Sequence, residues 1–300
     1  MRQKIIIFVT GILFLITNNI YAQYSINDKA GNNITSQIQR KDLQITYIAN
    51  EGFLLKTSTK KVLIDALFKE GYGIFSVPSK EVTAQIMDSK DPFDSINLLL
   101  LTHYHKDHCD PALINEYLSK HKNTPFVTSQ PSIVFIDGTC FGFIGKKKQF
   151  NVITPDINRS ISKTINNIPV KVFGLKHLSF YKDSIDLEET MFNVSFLIEM
   201  DGIKIFHSGD IEITAFKEYI AKNKKWTDSI DVAFLNCSLF KSGVPDLEYI
   251  LKTLHPEYIV LMHILPAEAE EWSAKIKKLK MIFPDILLFN NSLDSQTISM

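Results

Sequence analysis

Three histidines and an aspartate fall within six residues, in the pattern His103-x-His105-x-Asp107-His108, although the 300-residue chain holds only eight histidines. An incidental polar loop would not concentrate them so strongly. Neutral imidazoles and a carboxylate are the donors that a borderline divalent cation such as zinc takes. In extended backbone, side chains two apart point the same way, so His103, His105 and Asp107 start on one side. His108 then follows where the chain bends toward a helix opening near Asp110-Pro111. Cys109, beside the cluster, reads as a loop-lining residue or a small hydrophobe.

More donors sit at the ends of other apolar runs. His177 follows the strand-like stretch 170–175, and His263 follows 258–262. Each places one imidazole at a strand end, as a ligand would be placed. Asp210 ends the Ser208-Gly209-Asp210 loop, where the glycine lets a carboxylate approach closely and bridge two cations. Asp65 closes the apolar run 62–64. It either orients a metal-bound imidazole from behind or caps the loop that follows. His207, three residues before Asp210, reads as packed or supporting rather than ligating, and His255, beside a helix end, as structural.

These residues need a frame. The four leucines 98–101 read as a fully buried strand feeding the cluster. Strands are expected at 43–48, 52–57, 62–65, 125–128, 170–175, 192–198, 203–210, 230–235, 258–262 and 286–289. Helices are expected at 80–89, 112–121, 131–136, 214–223, 246–253 and 267–280. Residues 66–92 form an irregular insert that could shape a pocket. Residues 178–191 form a polar loop beside the site, in which Phe180 and Tyr181 are placed to meet a substrate. The order suggests two halves, each a run of strands followed by strand–helix units, without a domain break.

Composition bounds the rest. Hydrophobic residues make up 45% and charged residues 22%, as in an ordinary globular core. Lysine plus arginine equals aspartate plus glutamate at 33 each, so no nucleic-acid partner is expected. Lys146-Lys147-Lys148 reads as a solvated loop. Residues 1–22 carry a basic start (Arg2, Lys4), a largely apolar stretch at 5–16 and the small residue Ala22, the pattern of a secretory signal peptide. The mature protein is thus expected to be exported, periplasmic or secreted, with no stable membrane anchor after cleavage. Residues 23–42 read as a polar leader and 43–300 as the working domain. Three cysteines (Cys109, Cys140, Cys237) do not make a disulfide framework. Neither a glycine-rich phosphate loop nor a Gly-x-Ser-x-Gly elbow is present.

Taken together, His103-x-His105-x-Asp107-His108, His177, Ser208-Gly209-Asp210 and His263 resemble the metallo-β-lactamase superfamily. So does the hairpin from Asn50-Glu51-Gly52-Phe53 to Ile64-Asp65. Within it the chain is most similar to the branch containing ascorbate-6-phosphate lactonase-like hydrolases, although Asn50-Glu51-Gly52 departs from the Gly-His-Ala/Ser sequence often seen there. The resemblance implies an α/β (α+β) fold, a four-layer αββα sandwich with metals at one edge. It implies two divalent ions, Zn2+ foremost, with Mn2+ or Fe2+ admitted. His103, His105 and His177 would hold the first, Asp107, His108 and His263 the second, and Asp210 would bridge them. The implied activity is hydrolysis of a small-molecule ester, lactone or phosphodiester by a hydroxide shared between the ions, which Asp107 could orient. The bridging aspartate argues against antibiotic hydrolysis. His105 stands where diiron oxidoreductase relatives carry glutamate, which favours hydrolysis. The alternatives are a mononuclear iron oxidoreductase and a metal-stabilised binding module.

Overall fold

The computed structural model describes residues 23–27, 33–37, 40–222, 229–241, 244–281, 283 and 285–300. The signal-peptide reading at 1–22 lies outside them. The chain divides into a small unit, 1–40, and a large one, 41–300. In the small unit, strands β1 (Gln23–Asn27) and β2 (Asn33–Gln37) pair antiparallel, with Ile26 opposite Ile34. A segment that reads as a loose polar leader therefore holds a hairpin. Its Tyr24, Ile26 and Ile34 supply the β-propensity that the surrounding Asn and Gln mask.

The large unit is built on two seven-stranded sheets. The first contains β3 (Asp42–Ala49), β4 (Gly52–Lys56), β5 (Lys61–Ile64), β6 (Leu98–Leu100), β7 (Phe126–Thr128) and β8 (Phe150–Val152). The second contains β9 (Arg159–Ile165), β10 (Ile168–Lys176), β13 (Phe192–Met200), β14 (Ile203–His207), β15 (Val232–Asn236), β16 (Tyr258–Met262) and β17 (Ile286–Leu288). Between β10 and β13 lies a two-strand ribbon, β11 (Tyr181–Lys182) and β12 (Ile185–Asp186). A final strand, β18 (Ser295–Ser299), returns to pair with β3 at the edge of the first sheet. The sequence reading ends the chain at residues 286–289. It misses β18 because a five-residue strand with one buried side chain, Ile298, carries almost no hydrophobic signal.

Alternation along the strands creates the layers. Leu98 and Leu100 face the second sheet, in a shared layer with Phe53, Val62, Ile64, Phe196, Val232, Phe234 and Val260. Leu99 and Leu101 face the other way, onto the helices α1 (Lys80–Met87), α2 (Pro111–Lys120) and α3 (Gln130–Thr139). A strand buried on both faces must be apolar throughout, which is why the four leucines run unbroken. The outer face of the second sheet, with Phe173, Phe206, Ala233 and Leu261, packs under α4 (Ile213–Lys222), α5 (Val244–Leu254) and α6 (Ala269–Leu279). The result is the αββα sandwich.

One edge of this sandwich is clasped by polar contacts. Asp201, in the β13–β14 turn, accepts hydrogen bonds from Thr59 Oγ1 (2.6 Å), Thr59 N (3.0 Å) and Ser58 Oγ (3.0 Å) in the β4–β5 turn. Partial burial pushes its carboxyl up, but the hydrogen bonds from Thr59, Thr57 and Ser58 outweigh that and hold it at about 2.

Candidate metal centre

The other edge collects strand ends. β5, β6, β14, β15 and β16 run parallel within their sheets. β10 shares the direction of β14 because both are antiparallel to β13. Their C-terminal ends release Asp65, Thr102–His108, Asp210, Asn236, His263 and His177. The β3–β4 turn adds Asn50 and Glu51. Ligands in sheet proteins of this kind gather outside the carboxyl ends of the strands.

The expected donors converge here in two sets. In the first, His103 Nε2 lies 3.1 Å from His105 Nδ1 and 3.3 Å from His177 Nε2. In the second, Asp107 Oδ2 lies 3.2 Å from His263 Nε2 and 3.6 Å from His108 Nε2. Asp210 Oδ2 reaches both sets: it is 3.7 Å from His103 and 3.6 Å from His177, and 3.6 Å from His108 and 3.2 Å from His263. Asp107 does not share a side with His103 and His105, as extended backbone would have it. His105 O accepts from His108 N (3.0 Å) and Cys109 N (2.8 Å), and this turn carries Asp107 round to the second set. Asp110 then caps α2, its Oδ1 accepting from Leu113 N.

The outward ring nitrogens are already committed. His108 Nδ1 donates to Asp65 Oδ2 at 3.0 Å, and His177 Nδ1 donates to Leu178 O at 2.7 Å. His103 Nδ1 donates to Thr102 Oγ1 (3.0 Å), whose hydroxyl donates on to Asp65 Oδ2 (2.6 Å). His105 Nε2 donates to Glu188 Oε2 at 3.0 Å. Each contact fixes a tautomer whose inward nitrogen keeps a lone pair, the arrangement that supports a metal-binding imidazole. His108 Nε2 is fully buried and has no hydrogen-bond partner, a need that a cation would meet. The donor set therefore fits divalent metal.

Electrostatics point the same way. Burial, reinforced by the imidazoles of His108, His177 and His105, holds His103 well below its ordinary range. Burial and His177 lower His105 too. In the second set burial opposes charge, but nearby carboxylates outweigh it. Asp107, Asp210 and Asp65 raise His108 well above its usual value, and Asp210 and Asp107 raise His263 to about 10. Asp210 is buried, yet His263, His108 and His177 hold it well below the usual carboxylate range. The second set thus requires positive charge, carried by protons or by a cation in their place.

Four further residues complete the site and escape a reading of the sequence. Asn236 donates its side-chain amide to Asp210 Oδ1 and to Glu51 Oε1 (2.9 Å). Glu51 is fully buried, and its second oxygen has no hydrogen-bond partner. Burial first, then the charge of Asp210, raises its carboxyl well above the ordinary range. A glutamate in a tight turn reads as solvated. Asn236 did carry a signal, since it ends an apolar strand as His263 does. Glu188 looked like one acid among several in a polar loop. Asn50 joins them, donating to Asp107 Oδ2 at 3.0 Å.

Asp65 both braces His108 and accepts from Thr102 N at 2.8 Å. His207 stands behind the centre: its Nε2 donates to Glu51 O (3.1 Å), its Nδ1 accepts from Gly209 N (3.3 Å), and burial lowers it to about 4. Gly209 is in left-handed backbone, φ +57°, and a Cβ there would strike Asn193 and Thr102. The glycine is therefore required for Asp210 to reach both sets.

A sequence profile described as the β-lactamase superfamily domain matches residues 44–263. A UPF0173 metal-dependent hydrolase of Pyrococcus furiosus is 23% identical over 248 residues, covering 80% of this chain and 95% of its own. Among solved structures, the metallo hydrolase Igni18 of Ignicoccus hospitalis superposes with a TM-score of 0.54 at 18% identity, covering 86% of this chain and 98% of its own. An isothiocyanate hydrolase from Delia radicum gut bacteria superposes with a TM-score of 0.52 at 18% identity, covering 86% and 100%.

Proposed function

Because this chain belongs to the metallo-β-lactamase superfamily and is a metal-dependent hydrolase of that fold, we propose that it holds two divalent ions and cleaves an ester, lactone or phosphodiester bond. The observation that carries this reading is the position of Asp210 Oδ2, within 3.2–3.7 Å of imidazole nitrogens from both donor sets. His103, His105 and His177 would hold one ion, Asp107, His108 and His263 the other, with Asp210 between them. Divalent ions there supply Lewis acidity and bring the pKa of water down to about 7.

The chain's own residues do the rest. Asp65, Thr102, Glu188 and the carbonyl of Leu178 hold the imidazoles in the tautomers that bind. Asn236 and Glu51 hold Asp210. Asp107, fixed by Asn50, is placed to orient a water and to take its proton. The basic start, apolar stretch and small Ala22 of residues 1–22 support the further proposal that the mature protein works outside the cytoplasm.

Elemental analysis of the purified protein, before any chelator, tests the metal count. About two zinc or manganese per chain is expected, with hydrolysis of at least one of the three bond classes. A single iron with oxygen uptake would replace this reading by the oxidoreductase. Asp210→Ala should lose activity and hold less metal than the parent, and unchanged metal content would refute the bridging assignment.

A further inference from the structure

Two loops frame the mouth of the metal centre, and both touch its ligands. From the segment that follows Asp65, the Tyr72 ring stands edge-on to the His105 ring at 6.2 Å, and the Phe75 ring lies 4.3 Å from the His263 ring. From the segment that follows His177, Glu188 reaches His105. That second loop is a built hairpin. Its two-residue turn, Asp183-Ser184, has φ values of +49° and +66°, the mirror-image turn that suits paired strands. Asp186 Oδ1 ties its base by accepting from Phe180 N and Glu188 N, both at 3.1 Å, and Leu187 N donates to Phe180 O at 2.9 Å. On these two loops Tyr72, Ile74, Phe180, Tyr181, Ile185 and Leu187 are each more than half exposed. Exposed apolar side chains this numerous beside one site mark a surface that something apolar covers.

The charge on the rim says what that is not. Residues 178–191 hold Asp183, Asp186, Glu188 and Glu189 against one lysine, Lys182, and neither loop contains arginine. The lysines at the base are answered by carboxylates: Lys69 by Asp110, Lys106 by Glu70 and Lys176 by Asp186. Anionic groups are recognised by arginine forks and unpaired lysines. This rim offers acids and apolar surface instead.

We propose that the substrate is an uncharged ester or lactone carrying an apolar chain or ring, which lies across the rim formed by Tyr72, Phe75, Phe180 and Leu187 while its acyl group meets the metal centre. This rests on the hydrolase reading above and narrows it, setting phosphodiesters aside. An anionic membrane surface is disfavoured by the acids interleaved among the apolar side chains.

The test compares p-nitrophenyl acetate, p-nitrophenyl octanoate and bis(p-nitrophenyl) phosphate on zinc-reconstituted protein. Calorimetry with octananilide, a neutral amide, measures binding separately. The octanoate should be favoured over the acetate by about tenfold or more in kcat/KM, since each buried methylene adds to binding, and the phosphodiester should be the poorest substrate. Phe180→Ser with Leu187→Ser should bring the octanoate-to-acetate ratio toward one and weaken octananilide binding, with metal content retained. A flat chain-length profile, or preference for the phosphodiester, overturns the proposal. If nothing is hydrolysed, the hydrolase reading fails and octananilide decides the rim: weaker binding in the double variant upholds it, and equal or absent binding overturns it. Adhesion to phosphatidylglycerol vesicles that the double variant abolishes, without any octananilide binding, also overturns it.

Discussion

Asn236 donates its side-chain amide to Asp210 on the oxygen that faces away from the four imidazoles. The same amide also reaches Glu51, so Asp210, the proposed bridge, is held from behind by Asn236 and, through it, by Glu51. Asn236→Ala should weaken metal binding by roughly 10–100-fold, the usual cost of losing a partner behind a ligand. Chelator competition would measure it. Glu51→Gln keeps an acceptor oxygen and should stay near the parent, whereas Glu51→Ala should approach Asn236→Ala. If Gln and Ala behave alike, the hydrogen-bond account of Glu51 is wrong.

His207→Ala should retain the full metal complement, because both ring nitrogens are occupied by Glu51 O and Gly209 N. The loss should fall on stability, about 1–3 kcal/mol for a buried group whose partners are left unsatisfied. Elemental analysis and denaturant unfolding separate the two effects. A missing ion would mean His207 is a ligand.

Metal binding should release protons. His263, raised to about 10 by Asp210 and Asp107 against the opposing effect of burial, carries a proton at pH 7–9 that a cation must displace. Metal affinity should therefore climb with pH through this range and flatten as pH passes about 10. Calorimetry in two buffers of different ionisation enthalpy counts the protons directly. No proton release at pH 8 would contradict the charge assignment.

Asp201→Asn should alter acid stability at the clasped edge. A carboxyl held at about 2 when folded, against 3.8 ordinarily, favours the folded state above pH ~4. That contribution is lost as pH falls through about 2. The variant lacks it, so its acid-unfolding midpoint should lie at higher pH than the parent's. The side chain is largely solvent-exposed, so the shift should be small. Fluorescence-monitored acid titration of both proteins would show it.

Much of this architecture is written in local chemistry. The leucine run 98–101, the glycine before Asp210 and the single imidazoles after apolar strands all mark where ligands emerge, because such positions have few other uses. Other features depend on neighbours distant in sequence. Glu51 finds a hydrogen-bond donor for its buried carboxyl only because β15 brings Asn236 to it, 185 residues away in sequence. Glu188 acquires a partner only when its hairpin folds back onto His105. β18 exists because β3 offers it an edge. Asp107 leaves the side of His103 and His105 and joins His108 and His263, as the resemblance implies, because a turn closed by the backbone of His105 overrides the two-residue alternation of a strand.

The donors are divided between the two sheets: His103, His105, Asp107 and His108 follow β6 of the first, and His177, Asp210 and His263 follow strands of the second. Their separation is therefore set by the side chains stacked between the layers, Phe53, Phe196 and Phe234 among them. Those rings act as a spacer gauge. A change in the volume of an apolar core residue there should therefore shift the distance between the two groups of donors without altering a single one of them.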